Sequence, residues 1–322
     1  MTYLCLYCMS ELPAANPHGC NLLTVDDDAT NHTFSGIVPM KASVAELKRS
    51  IAGNNTHLLE DFNPSCRKIA FDCIVDTTAH KVYVIVRCKF DFVRGPGAGA
   101  WSGAEKAQTE TAVLNCVQFW DRAGALTYTS ITGAVTAYDV EFFIDTSRGG
   151  AYRQKIRTQT ADKPRYIGPQ ITMTCNALVP CGTGYADGAL PEHGTGYQLD
   201  MQITQYSPML FPAQNNNNAC EVLNAMAHEF GHMIGLPDEY LAIPATWLLC
   251  ASDSDRAAYL WTRRLVAENI AVPPTGPNYP ALTMMNKIEA RPTGFLDRHY
   301  VTVLEAARYT CARNGIAGNW SV

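Results

Sequence analysis

Apolar positions recur along the chain with two periods, and the changes between them mark out the elements. KIAFDCIVD and HKVYVIVRCKFDFV are rich in β-branched and aromatic residues and flank the short polar TTAH, the pattern of a β-hairpin. The Gly/Pro-rich RGPGAGAWSG ends it. EKAQTETAVLNCVQFWDR then places Val113, Val117 and Trp120 on one side at helical spacing. YDVEFFIDTS and PQITMTC read as strands, and GYQLDMQITQY alternates Leu199, Met201 and Ile203 with polar residues, which predicts a strand with one buried face. A helix over residues 218–234, a second near DSDRAAYLWTRRLVAENI and a last one with Tyr300, Leu304, Ala307 and Cys311 on one face complete the pattern. Strands with a helix, more strands, then mostly helices predict an α+β fold. Residues 1–65 are polar and irregular apart from a short helix around VAELKRSIAG, and read as an N-terminal extension or small subdomain before a main domain at 66–322.

Charge and composition narrow the partners. A chain of 322 residues with 47% apolar and 17% charged residues can bury a sizeable core. Its formal net charge of −5 and pI near 5.9 supply no broad basic surface, which argues against nucleic acid or an anionic membrane as the main partner. No apolar run approaches the roughly 18–20 residues of a membrane helix. The N-terminus lacks the basic start, apolar middle and cleavage site of a secretory signal. The expectation is a soluble protein whose export, if any, uses a non-classical or contact-dependent route. Twelve cysteines are spread along the chain, permitting disulfides without specifying them. Cys5 and Cys8, followed by His18 and Cys20, could hold a metal or remain thiols, and Cys175 and Cys181 are the nearest candidates for a local disulfide.

The candidate chemistry lies in NACEVLNAMAHEFGHMIGLPDEY, residues 218–240. Asn218 with Glu221 three residues on has the capping-box arrangement, and Gly235 can turn left-handed and end the helix. Leu223, Met226, Phe230 and Met233 or Ile234 recur on the side that should face the core. His228 and His232 are four apart, about 40° from each other around the helix, so both imidazoles can reach one ion. Glu229 is offset enough to miss that ion and face a water bound to it. Zinc held by three protein ligands keeps a position for water, lowers its pKa toward ~7 and polarises a carbonyl. A carboxylate beside the water can take its proton and pass it to the leaving amine. HExxH alone recurs by chance in on the order of 1% of chains this long, so it is suggestive only. HEFGHMIGLPD adds Gly235 and Asp238 at the spacing of an extended zinc-protease motif, which makes coincidence far rarer. The competing reading is a core helix that happens to carry two histidines.

On these residues the chain resembles the metzincin zinc endopeptidases, over roughly residues 80–240 and a candidate Met-turn. The resemblance implies a zincin-like mixed twisted sheet with an active-site helix and a C-terminal helix. A methionine beneath the metal would be Met285, in TMMN, with Met284 second. The commonest pattern has histidine where Asp238 stands; the snapalysin-like minority uses aspartate there. Asp238 is therefore the expected third zinc ligand, with Glu239, Glu289 and Glu268 as alternates, Glu239 being equally able to orient a histidine. His299 and Tyr300, in DRHY, are the expected oxyanion donors by position and resemblance. The resemblance also implies that a peptide substrate adds to an edge strand before the active-site helix, here about 199–206.

HEFGHMIGLPDEY followed by MMN and RHY is also similar, over short segments, to metallopeptidase domains of bacterial effector toxins. That likeness implies a secreted effector acting on a protein or peptide substrate, with a cognate inhibitor or immunity protein as a further partner. The alternative is a non-catalytic protein in which a metal clamps the helix to the loop after it. There is no GxSxG and no phosphate-binding glycine loop to suggest another enzyme.

Overall fold

The computed structural model describes residues 3–5, 10–12, 24–25, 32–33, 37–66, 69–93, 100–147, 152–160, 170–175, 199–205, 230–237, 239, 253–273, 285 and 295–322. They form a mixed α+β structure around a nine-stranded sheet. Five short strands come first: β1 (Tyr3–Cys5), β2 (Ser10–Leu12), β3 (Thr24–Val25), β4 (His32–Thr33) and β5 (Ile37–Pro39). They pair among themselves, β2 with β1 and β1 with β5, and β3 with β4. Helix α1 (Val44–Ser50) follows, opened by a capping box in which Ser43 and Glu46 satisfy each other's backbone N–H.

The large sheet is organised by β8 (Lys81–Val93), a strand of 13 residues. Its first half pairs antiparallel with β7 (Phe71–Asp76) through the predicted TTAH turn, and on the other side parallel with β10 (Val135–Asp145). Its second half, Cys88–Val93, exchanges β7 for β11 (Gln154–Thr160). One strand thus joins two groups. β6 (Thr56–Phe62) extends the first group beyond β7, while β9 (Arg122–Ser130) and β14 (Gly318–Ser321) extend it beyond β10. β13 (Leu199–Gln205) and β12 (Gln170–Cys175) extend the second.

Every residue from Val82 to Cys88 is buried, as expected of a strand covered on both faces. Alternate side chains sort to the two sides. Cys73, Val75, Val82, Val84, Val86, Val140, Phe142 and Ile144 join the main core, with helix α2 (Gly103–Cys116), the 3₁₀ turn Val117–Trp120, the end of the histidine helix, and helices α3 (Asp253–Ala267) and α4 (Val301–Arg313). Ile74, Tyr83, Ile85 and Phe143 face the other way, onto Val44, Leu47 and Ile51 of α1.

The hairpin, the full burial of Val113 in α2 and of Val117 and Trp120 in the 3₁₀ turn that replaces the end of the expected helix, and the apolar face of the last helix match their sequence patterns. Two features differ. β6 lies before the expected boundary at residue 65, yet it pairs with β7, and Leu59 and Phe62 enter the main core. The strand at 199–205 is not an edge: β11 lies on one side of it and β12 on the other, so its hydrogen-bonding groups are used within the sheet. The edge at that end, among the described residues, is β12. No helix among the described residues is long and apolar enough to cross a membrane. Cys66, Cys73, Cys88 and Cys311 are buried, and of the candidate metal cluster Cys5, Cys8, His18 and Cys20 all but Cys5, the last residue of β1, lie outside the described residues.

Candidate functional site

The histidine helix is described from Phe230, whose ring meets Phe142 of β10 edge-on with centroids 5.8 Å apart. Phe230, Met233 and Ile234 are buried, as their spacing predicts. The helix stops at Gly235, which takes φ +101°, a conformation that favours glycine. Its N–H donates to His232 O at 3.0 Å, and the Leu236 N–H donates to Gly231 O at 3.0 Å. Together these are the paired bonds of a Schellman C-cap. A side chain here would also strike the Pro64 ring, 2.9 Å from where a Cβ would stand.

This turn controls His232. Its Nδ1 lies 2.7 Å from Leu236 O in a buried setting. A carbonyl oxygen can only accept, so Nδ1 carries the proton and the ring's lone pair is on Nε2. Metal-binding histidines use this arrangement: a backbone carbonyl fixes the tautomer and the ring's aim. The geometry is therefore one that fits a metal ligand.

Gly231, beside His232, is where the helix meets a methionine. A Cβ placed on Gly231 would collide with Met285 Sδ and stand 2.8 Å from Trp120 Cζ2. Only glycine allows this close approach. Met285 is fully buried, and its carbonyl accepts the Glu239 N–H at 2.8 Å. The methionine thus touches the histidine helix through its side chain and the loop after it through its backbone.

Glu239 has no exposed side-chain surface. Arg298 grips both of its oxygens, Nε to Oε1 at 2.5 Å and Nη2 to Oε2 at 3.0 Å, and His299 Nε2 donates to Oε1 at 3.0 Å. On the other side of the His299 ring, Nδ1 accepts the Leu296 N–H at 3.0 Å. Nδ1 must therefore carry the lone pair and Nε2 the proton. Burial pushes His299 below the ordinary histidine pKa, against the upward pull of Glu239, so the ring is held neutral. Tyr300, fully buried, donates to Trp120 O at 2.8 Å, and burial pushes its hydroxyl pKa well up. The polar atoms of both DRHY residues expected as oxyanion donors are thus engaged inside the protein. Glu239 does orient a histidine, but that histidine is His299 and not one of the expected ligands.

Three contributors escaped the sequence reading. Arg298 lies within DRHY, but nothing local marks an arginine as buried beneath a glutamate 59 residues away. Gln154, the first residue of β11, is fully buried and donates through Nε2 to Met233 O at 2.7 Å, tying the end of the histidine helix to the sheet. Trp120, chosen only as a core residue, packs edge-on to both Phe295 and His299, at centroid distances of 4.7 and 5.9 Å.

The remaining expected residues divide into two groups. His228, Glu229, Asp238 and the alternate ligand Glu289 lie outside the described residues. Glu268 is described and lies elsewhere: it pairs with Arg264 and with Arg308, nine residues past His299 and so roughly 13 Å farther along the chain toward the end of α4. Its partners hold it just past the end of α3, against α4. Among the described residues no three His, Cys, Asp or Glu side chains form a metal-binding group. No protein-family model matches the chain, and no curated protein or solved structure matches it significantly.

Proposed function

We propose that the chain is a zinc-dependent endopeptidase, with His228, His232 and Asp238 holding the metal and Glu229 as general base. One observation carries the proposal: within HEFGHMIGLPD, the turn at Gly235 brings Leu236 O onto His232 Nδ1, the carbonyl contact that supports Nε2 as the nitrogen that would meet a metal. The contact of Met285 with Gly231 adds support, because it backs the helix one residue from His232. Zinc so bound would lower the pKa of a water and polarise the scissile carbonyl. Glu229 removes the proton from the attacking water and returns it to the leaving amine. Its place in the sequence, one residue after His228, suits that task. His299 and Tyr300, with their donors engaged, contribute by holding Glu239 and Trp120 rather than by contacting the substrate. An extended peptide would pair with β12 in place of the expected 199–206 segment, since among the described residues β12 is the edge strand at that end of the sheet. Through the likeness of short motifs to effector toxins, the proposal extends to a secreted protein with a cognate inhibitor as its partner.

The test is zinc content and proteolysis of an unfolded protein substrate, measured together on the native chain and on Glu229→Ala. One zinc per chain in both, with cleavage by the native protein alone, is the expected result; a rate fall of roughly 100-fold or more corresponds to loss of a general base. Equal cleavage by both would overturn the mechanism. Absence of zinc from both proteins, each with unchanged fold, would remove the metal reading altogether.

A further inference from the structure

Glu239 is an alternate metal ligand by sequence, one residue beyond the expected third ligand, and the structure gives its carboxylate other partners. Its two oxygens meet the fork of Arg298, and Oε1 also receives His299 Nε2. Its backbone N–H is bonded to Met285 O. Four attachments therefore meet at one residue: two from a guanidinium, one from an imidazole and one from the turn that contacts Gly231. A planar guanidinium on a carboxylate fixes orientation as well as distance, which a flexible ammonium cannot do. His299 is itself held by Leu296 N and by the edge of Trp120, and Arg298 precedes it in the same 3₁₀ turn, Asp297–Tyr300.

We infer that Glu239 is a positioning residue, not a metal ligand: through Arg298, His299 and Met285 it holds the loop after the histidine helix in the shape required for zinc binding. The inference rests on the proposed zinc site. On the helix side the same loop is tied by Leu236, whose N–H closes the C-cap and whose carbonyl holds His232. Glu239 supplies the other tie, three residues later. Between these two ties lie Pro237, which is buried, and residue 238. A loop secured at both ends presents a ligand with little ordering left to do on binding, and loosening one end should weaken the metal rather than abolish it.

The test uses the full chain, with inorganic zinc as the probe and a chromophoric chelator as competitor. Removing only one charge would orphan the other in the interior, so the main variant is the double Glu239→Gln with Arg298→Met, which removes both. Its circular dichroism and zinc-free unfolding temperature report the fold. Arg298→Lys is the second variant, retaining the charge but losing the fork. We expect zinc affinity to fall about 10- to 100-fold in the double variant, the range typical for partners of metal ligands, with a smaller fall in Arg298→Lys. If Glu239 were a ligand instead, the double variant would lose zinc affinity by far more than 100-fold, as removal of a ligand does. Native-like affinity in both variants would show that the clamp serves stability alone. Failure of the native chain to bind zinc would bring down the proposed site and this inference with it.

Discussion

Two carboxylates, the fully buried Glu239 and the half-buried Asp121, are each clamped by a cation, and both the burial and the choice of cation separate them. Glu239 is held by the Arg298 fork and by a neutral histidine, in a setting with no exposed side-chain surface. Asp121 is held by Lys41 through Oδ2, while Oδ1 accepts the Phe142 N–H at 2.8 Å; Lys41 also lies over the Phe143 ring, 4.4 Å from its centre. Arginine keeps its charge at any ordinary pH and imposes a planar geometry. Lysine is a point charge whose proton can be lost more readily, and burial lowers its pKa here while raising Asp121 to about 6. The first clamp is a rigid fastener beside the candidate site. The second ties the N-terminal segment and the end of the α2 region to β10, and its strength depends on pH.

The largest effect expected from this contrast is on Glu239. Glu239→Ala leaves Arg298 buried without its main partner, and urea unfolding of the zinc-free protein should show a loss of about 3–5 kcal/mol. A loss within about 1 kcal/mol would mean that the clamp is solvated and the contrast with Asp121 is empty.

Lys41→Met should cost less, about 1–3 kcal/mol near neutral pH, because Asp121 can respond by taking up a proton. The sign follows from its raised pKa. An acid whose folded value, about 6, lies above its ordinary 3.8 favours the folded state most below 3.8, and that advantage is lost as pH rises through about 6. Without Lys41 to offset the charge, Asp121 holds its proton to higher pH, so the deficit of the variant should widen as pH rises from about 5 to about 7. Urea midpoints across that window provide the check, and a deficit that stays constant would show that Asp121 does not titrate there.

Tyr300→Phe should have the smallest effect, about 1 kcal/mol, from one buried hydrogen bond to Trp120 O. The same variant sharpens the functional contrast. If proteolysis is found in the native chain, it should persist in Tyr300→Phe with kcat changed by less than about threefold, since the hydroxyl faces the protein interior. A loss of kcat comparable to that of Glu229→Ala would return Tyr300 to the role of oxyanion donor.

The parts legible from the sequence share one property: the information needed lies within a few turns or a short hairpin. TTAH between two β-rich runs specified the β7–β8 pair, because the turn and alternation are local. Val113, Val117 and Trp120 could be assigned to one buried face from helical spacing alone. Gly235 could be read as a helix stop because a left-handed residue there strongly favours glycine, and its φ of +101° agrees. By contrast, β9, β11 and β14 carry few alternating apolar residues, and their existence depends on the neighbours that pair with them. The 199–205 segment had a strand pattern, but whether it lies at an edge is decided by β12, which could not be read from its own alternation.

The sequence by itself determined the chemistry on offer: two histidines one turn apart, a glutamate between them, a glycine to end their helix and a carboxylate three residues beyond it. It also determined most of the apolar faces, since periodicity is set by the backbone geometry of each element. Only the tertiary structure decided what each polar group would meet. Arg298 reaches Glu239 across 59 residues, Tyr300 reaches Trp120 across 180, and Met285 meets Gly231 because the absent side chain leaves room for it. These contacts depend on how separate elements stack, and a buried polar group takes whichever partner that stacking brings within hydrogen-bonding distance.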